Sequence, residues 1–223
     1  MCKLTNEQML RYFIFKDCGF DEEIAKKSYD FVMGNDPEPQ QESKPATELA
    51  DGIYLMYGEM PVAYKGQELS ENEKNGCTGV GVKFGGKSLV VVLNDISDDD
   101  IELTTQQGGT RFITNYHQAA EDMDGKAATD DIRDILNMGI ADDEHIPSLG
   151  ELYFMLAHFT QINAALKAVG GEPLHDDWYW SSTQYSATLA WHLYLSHGYA
   201  GGTTKATYQF RVRPVSAFLP LNR

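Results

Sequence analysis

The chain has 223 residues, 42% of them hydrophobic and 11% aromatic, with a formal charge of −15 and a pI near 4.7. That length and apolar content supply one good core plus a small appendage, and two full domains would be crowded. Affinity for nucleic acid comes largely from Lys and Arg neutralising phosphates, so a chain this acidic is expected to have no nucleic-acid partner.

At the N-terminus, Thr5 and Gln8 form a capping-box pair ahead of the apolar stripe Leu10, Phe13 and Ile14, and Gly19 ends the element. Asp21, Glu22 and Glu23 suit the positive end of a second helix dipole, with Ile24, Phe31 and Val32 apolar and Gly34 at its C-terminal cap. Residues 1–34 are therefore expected to form a helical hairpin for assembly or docking, either making a homo-oligomer or attaching the chain to a larger particle. The stretch from Asn35 to Glu48 is rich in Pro, Glu and Gln, which places a linker at 35–50 and the main domain at 51–223. Cys2, Cys18 and Cys77 are scattered and form no CxxC pair, as expected of free thiols. No basic, apolar leader is present, and the early apolar run Tyr12–Phe15 is too short to span a bilayer. Synthesis in the cytoplasm without a signal peptide, and no membrane insertion, are the expectations.

From Gly52 the texture changes to β-type runs at Ile53–Tyr57, Val80–Phe84 and Leu89–Leu93, separated by glycines. The acidic run Asp95–Glu102 lacks the alternating oxygen ligands and central glycine of an EF-hand and reads as a solvated loop. Residues Thr114–Met123 and Asp130–Leu136 read as helices. Ser148 and Glu151 then cap a core helix carrying Leu149, Leu152, Tyr153, Leu156, Phe159 and Ile162 on one face. After Gly170 and Gly171, Trp178–Ser182, Ala190–Leu195 and Gln209–Val215 read as strands joined by Ser-, Gly- and Thr-rich connections. Sheet and helix mix without a regular βαβ alternation, so the fold class is α+β.

Charge is distributed unevenly. Residues 178–223 hold Lys205, Arg211, Arg213 and Arg223 and no acid, a charge of +4 that leaves −19 for the rest. The same segment holds Trp178, Trp180 and Trp191 and the tyrosines at 179, 185, 194, 199 and 208. Catalytic patterns are absent: there is no GxSxG, no HExxH and no GxxxxGK[ST]. The histidines lack metal-ligand spacing, although His175-Asp176-Asp177 is a polar cluster, and His158 is expected to be a hydrogen-bonded core residue. No catalytic residue, metal or cofactor is assigned.

The runs Ile146-Pro147-Ser148-Leu149-Gly150-Glu151-Leu152, Ile162-Asn163-Ala164-Ala165-Leu166, Trp178-Tyr179-Trp180-Ser181-Ser182-Thr183 and Phe210-Arg211-Val212-Arg213-Pro214-Val215 occur in that order. Together they resemble a C-type-lectin-like family whose pattern is an "LPT-x-x-EL" helix, a "YWSST" strand, an "AW" strand and a closing "RVRPV" strand. This branch shares its fold with formylglycine-generating enzymes and includes the variable proteins of diversity-generating retroelements, among them phage tropism determinants and bacterial surface proteins. The resemblance covers about 146 to 218, and residues 52–145 are expected to complete the fold. The chain departs from the pattern at His145-Ile146, where the family usually shows Trp-Arg. No cysteine follows Cys77 to carry the enzymes' thiol chemistry, and the EPN and WND sugar motifs of animal lectins are missing.

In such variable proteins, adenine-directed mutagenesis yields a palette that excludes Trp, Lys, Gln, Glu and Met. Between Tyr185 and Tyr208 only Trp191 and Lys205 fall outside that palette. The resemblance thus implies a hypervariable ligand-binding region at about 185–210, in which Tyr and Trp give large contact area and Ser, Gly and Thr give adaptable polar contacts. The candidate binding residues are Thr188, Leu189, His192, Tyr194, His197, Tyr199, Thr203, Thr204, Thr207 and Tyr208, with Trp180, Trp191 and Tyr185 assigned to the core. The implied function is non-enzymatic binding of a protein or glycan ligand on a cell surface, by a virion-associated phage receptor-binding or tail protein. The alternatives are an enzyme or cofactor protein of the formylglycine branch, or a bacterial surface adhesin.

Overall fold

The computed structural model of the chain describes residues 49–218; the expected helical hairpin at 1–34 and most of the expected linker lie outside the described residues. Within that span the architecture is mixed α+β with antiparallel sheets, as the sequence predicts. Strands β1 (Gly52–Tyr57), β2 (Met60–Tyr64), β3 (Gly79–Phe84), β4 (Lys87–Val92), β5 (Glu144–His145) and β9 (Val215–Ser216) form a six-stranded sheet in the order β2-β1-β3-β4-β9-β5. Strands β6 (Trp178–Gln184), β7 (Leu189–Tyr194) and β8 (Tyr199–Thr204) form a three-stranded sheet in sequence order.

Alternation along β1 explains why both faces of the large sheet are apolar. Ile53 and Leu55 face the main core with Val80, Val82, Leu89 and Val91, while Tyr54 and Met56 face outward beneath Phe218. Gly81 permits that outer contact: a Cβ there would lie 2.3 Å from the Phe218 ring. The main core is closed by two helices, α4 (Leu149–Ala157) and α5 (Phe159–Val169). The Ser148–Glu151 capping box forms as the sequence predicts, and Gly170, at φ 79°, ends α5 in the left-handed conformation. The single predicted helix through Ile162 breaks at His158, whose φ of −118° leaves the α region. Its imidazole stacks on Phe84 at 3.9 Å and meets Phe154 edge-on, so tertiary packing overrides the helical periodicity, and His158 is half-buried rather than a core residue.

The remaining short elements depart from expectation in instructive ways. Helix α2 (Tyr116–Glu121) falls inside the predicted Thr114–Met123. The helix expected at Asp130–Leu136 lies earlier, as α3 (Gly125–Asp130), because Asp124 caps it through Ala127, and only a 3₁₀ turn follows at Arg133–Ile135. Helix α1 (Glu71–Gly76), with its own Ser70–Glu73 capping box, strand β2 and strand β8 are additions to the sequence reading. The predicted strand Gln209–Val215 is not continuous. It makes isolated bridges at Phe210 and Arg211 and joins the large sheet only at β9. Between them the Val212 and Pro214 carbonyls accept from the Ile96 and Val92 N–H groups, while the Arg213 side chain enters the core and Pro214 has no N–H to donate.

Candidate functional site

The three-stranded sheet separates two environments. Tyr179, Trp191 and Leu193 point into the main core, and Trp180 and Ala190 point to a second cluster with Leu103, Ile132, Ile146 and Val212. Directly paired residues share a face in an antiparallel sheet, and the pairings Trp178↔Tyr194, Trp180↔His192, Tyr194↔Tyr199 and His192↔Gly201 put these residues together on that second side. The result is a continuous aromatic face. Trp178 lies 4.8 Å from His192, 5.0 Å from Tyr194, 5.9 Å from Tyr199 and 5.8 Å from Phe210, and Tyr208 extends the cluster 6.2 Å beyond Phe210. Most of these contacts are edge-on or tilted, the arrangement that aromatic quadrupoles favour. The cluster surfaces at Tyr199, 68% exposed, and Tyr208, 54% exposed.

The predicted binding residues divide accordingly. Tyr194, His197, Tyr199 and Tyr208 sit on or beside the aromatic face, half-buried or exposed. Thr203 is on the same face of β8 beside Ala190, Thr204 points to the other, and Thr207 is exposed in the turn after β8. Thr188 and Leu189 lie at the opposite end of β7, in a turn held by the Ser186 hydroxyl. The expectation that His192 is a surface residue is corrected: it is buried at 8% exposure among Trp178, Trp180 and Phe210 and forms the floor of the face. Burial pushes its imidazole down to about 4, and Nδ1 has no hydrogen-bond partner. Trp178 and Phe210 are members of the face that sequence reading treated only as strand residues. Their register opposite Tyr194 and beside His192 is set by tertiary pairing, which no local pattern reports.

Trp180 and Trp191 are buried, as expected of core residues, and each indole N–H donates to a backbone carbonyl, of Ile101 and Ile113 respectively. Tyr185 is half-buried against Trp191. Lys205 is fully buried as well: its ammonium donates to Gly108 O and Gln184 Oε1, fastening the 104–111 loop to the end of β8, and desolvation lowers it to about 8.

Beside the aromatic face lies an ion-pair network. The Asp95 side chain is fully buried and accepts from Arg213 Nε at 2.5 Å, Arg211 Nη1 at 3.0 Å and the Tyr179 hydroxyl at 3.2 Å. This corrects the reading of the acidic run as uniformly solvated, because its first residue is taken into the interior. Asp95, Glu172 and His175 bring ligand atoms within 4.8 Å of one another, a different grouping from His175-Asp176-Asp177. With both guanidiniums already on these carboxylates, the arrangement has the chemistry of a structural ion-pair network, and no metal is assigned to it.

Other candidates lie apart from this face. A cleft of about 410 Å³ on the outer side of the six-stranded sheet is lined by Met56, Val90, Glu59, Asp143 and Glu144, and burial raises the Glu144 carboxyl. Cys77 is buried, its thiol bonded to Gly79 O and pushed up by desolvation. Cys2 and Cys18 lie outside the described residues. Among the described residues, no helix is long and apolar enough to cross a membrane. No protein-family model, curated protein or solved structure matches the chain.

Proposed function

We propose that the chain is a non-enzymatic binding protein that presents the aromatic face of the three-stranded sheet to a ligand. In this reading the domain is C-type-lectin-like, its face is diversified by a retroelement, and the protein serves as a phage receptor-binding or tail-associated protein. The observation that carries the reading is the agreement between composition and burial. Trp191 and Lys205, the two residues between Tyr185 and Tyr208 that lie outside the adenine-directed palette, are 7% and 1% exposed, whereas Tyr199 and Tyr208 are the exposed tyrosines of that segment. The two residues outside the palette thus belong to the buried frame, together with Ala190, Leu193 and Leu195 from within it. The exposed rings offer large contact area at small entropic cost, as at a paratope.

The gene's surroundings test this proposal. A reverse transcriptase gene beside this one, with an imperfect repeat of the 3′ coding end, is the expected finding. A locus with neither contradicts diversification by a retroelement.

A further inference from the structure

Strand β8 pairs with β7 along its whole length, and among the described residues no strand pairs with its other side. The opposite margin of the sheet is covered. There Arg211 N–H donates to Trp178 O, Trp180 N–H to Arg211 O, and Ile113 N–H to Gln184 O. Edge strands that avoid pairing with other chains carry a lysine, a proline or a bulge, and β8, Tyr-Ala-Gly-Gly-Thr-Thr, has none of these. Such an edge accepts an extended peptide through backbone hydrogen bonds, and every second peptide side chain then falls on the face shared by Tyr199, Gly201 and Thr203.

What that side chain meets is aromatic and acidic. Gly201 keeps the floor open, since a Cβ there would lie 3.1 Å from Cε1 and Nε2 of His192, whose buried Nδ1 has no partner. Trp178, Tyr194 and Tyr199 surround this point. The rim nearest β8 carries Asp176, whose carbonyl accepts from the Tyr194 hydroxyl and whose carboxylate accepts from Ser196 Oγ beside His197, while Asp177 lies at the covered margin with Arg211. Arg211 and Arg213 are engaged with Asp95 and Glu172, Arg211 also lying 3.6 Å from Asp177. Among the described residues no lysine or arginine is within ion-pair distance of Asp176, which is 62% exposed beside His197.

We infer that the open edge of β8 and this acid-rimmed aromatic face bind an extended segment of a partner protein that presents a lysine or arginine. The inference rests on the reading of this face as the ligand surface and names the chemistry it selects. The cation lies over the rings and against the Asp176 carboxylate, combining cation–π attraction with a charge-assisted hydrogen bond. A peptide is favoured over a glycan because only a peptide can continue the sheet.

The test uses the full chain as bait for a random peptide library and, in parallel, for a glycan array. Enrichment of peptides with a lysine or arginine among β-forming residues is expected. The best of them should bind at least about tenfold more weakly to an Asp176→Asn variant, and weaken in high salt. N-methylation of its backbone at alternate residues should abolish binding in one alternation and spare it in the other. Neutral or acidic peptides, indifference to the Asp176 substitution, or a dimer that closes β8 against the peptides overturns the inference. Glycan capture that disappears in a Tyr199→Ser/Tyr208→Ser variant overturns it while leaving the surface reading intact; capture of neither class, by a chain shown to be folded, counts against both.

Discussion

Arg213 donates its Nε to Oδ1 of Asp95 at 2.5 Å with both side chains fully buried, joining the acid-free C-terminal segment to the acidic first half of the domain. The same guanidinium donates through Nη1 to the carbonyls of Val92, Leu93 and Glu172, so one side chain gathers β4, the loop after it and the approach to β6. A buried pair broken on one side leaves an uncompensated charge. Asp95→Ala is therefore expected to cost about 3–5 kcal/mol in urea denaturation, and an Asp95→Leu/Arg213→Met double variant less than the single. A single variant of undiminished stability would mean that the pair does not hold the domain together.

His192 gives the domain a pH dependence of definite sign. Its imidazole sits at about 4 in the folded protein against 6.5 when unperturbed, so the unfolded chain takes up the proton first. The neutral form's full contribution to stability is present above 6.5 and is lost as pH falls through about 4. Urea midpoints measured across that window should fall less steeply for His192→Gln than for the parent, and identical slopes would contradict the buried placement.

Asp131 acts in a more acidic window. Desolvation raises its carboxyl, but hydrogen bonds from the Thr110 hydroxyl, the backbone N–H groups of Thr110 and Arg111, and Gln184 outweigh this and hold it at about 2. This depressed carboxylate contributes stability above its unperturbed 3.8 that disappears as pH falls toward 2. Asp131→Asn should remove that part of the acid-induced loss, read as a smaller drop in melting temperature between those two values; an unchanged drop would contradict it.

Frame and face should separate in thermal melts. Trp180→Ser removes a fully buried indole and its bond to Ile101 O, and is expected to cost about 3–5 kcal/mol. Tyr199→Ser and Tyr208→Ser change exposed rings and should each shift stability by about 0.5 kcal/mol or less. A destabilisation by the tyrosine variants comparable to that of Trp180 would show that the face is structural.

The sequence makes visible those features whose causes are local. The capping box at Ser148–Glu151 and the β-type runs that become β1 and β3 follow from spacing and residue type, and the core assignment of Trp180 and Trp191 follows from their place in the resembled motif frame. What it hides depends on contacts far along the chain. His158 breaks a helix because Phe84 waits beneath it, and Asp95 leaves an acidic run because Arg211 and Arg213 receive it. His192 shares its neighbourhood with residues of the variable palette, yet β6 pairing and Phe210 bury it. Strand β8 is hidden for a different reason: Gly201 and Gly202 lower its strand propensity, and only pairing with β7 makes it a strand.

Deep sequencing of this coding end across natural isolates tests most directly whether the aromatic face is a surface selected to vary. Substitutions should arise at adenines and concentrate at Tyr194, His197, Tyr199, Thr203, Thr207 and Tyr208, with Trp180, Trp191, Lys205 and Arg213 constant. Variation spread evenly over codons 178–216, or reaching Trp191 and Lys205 as often as Tyr199 and Tyr208, would contradict it.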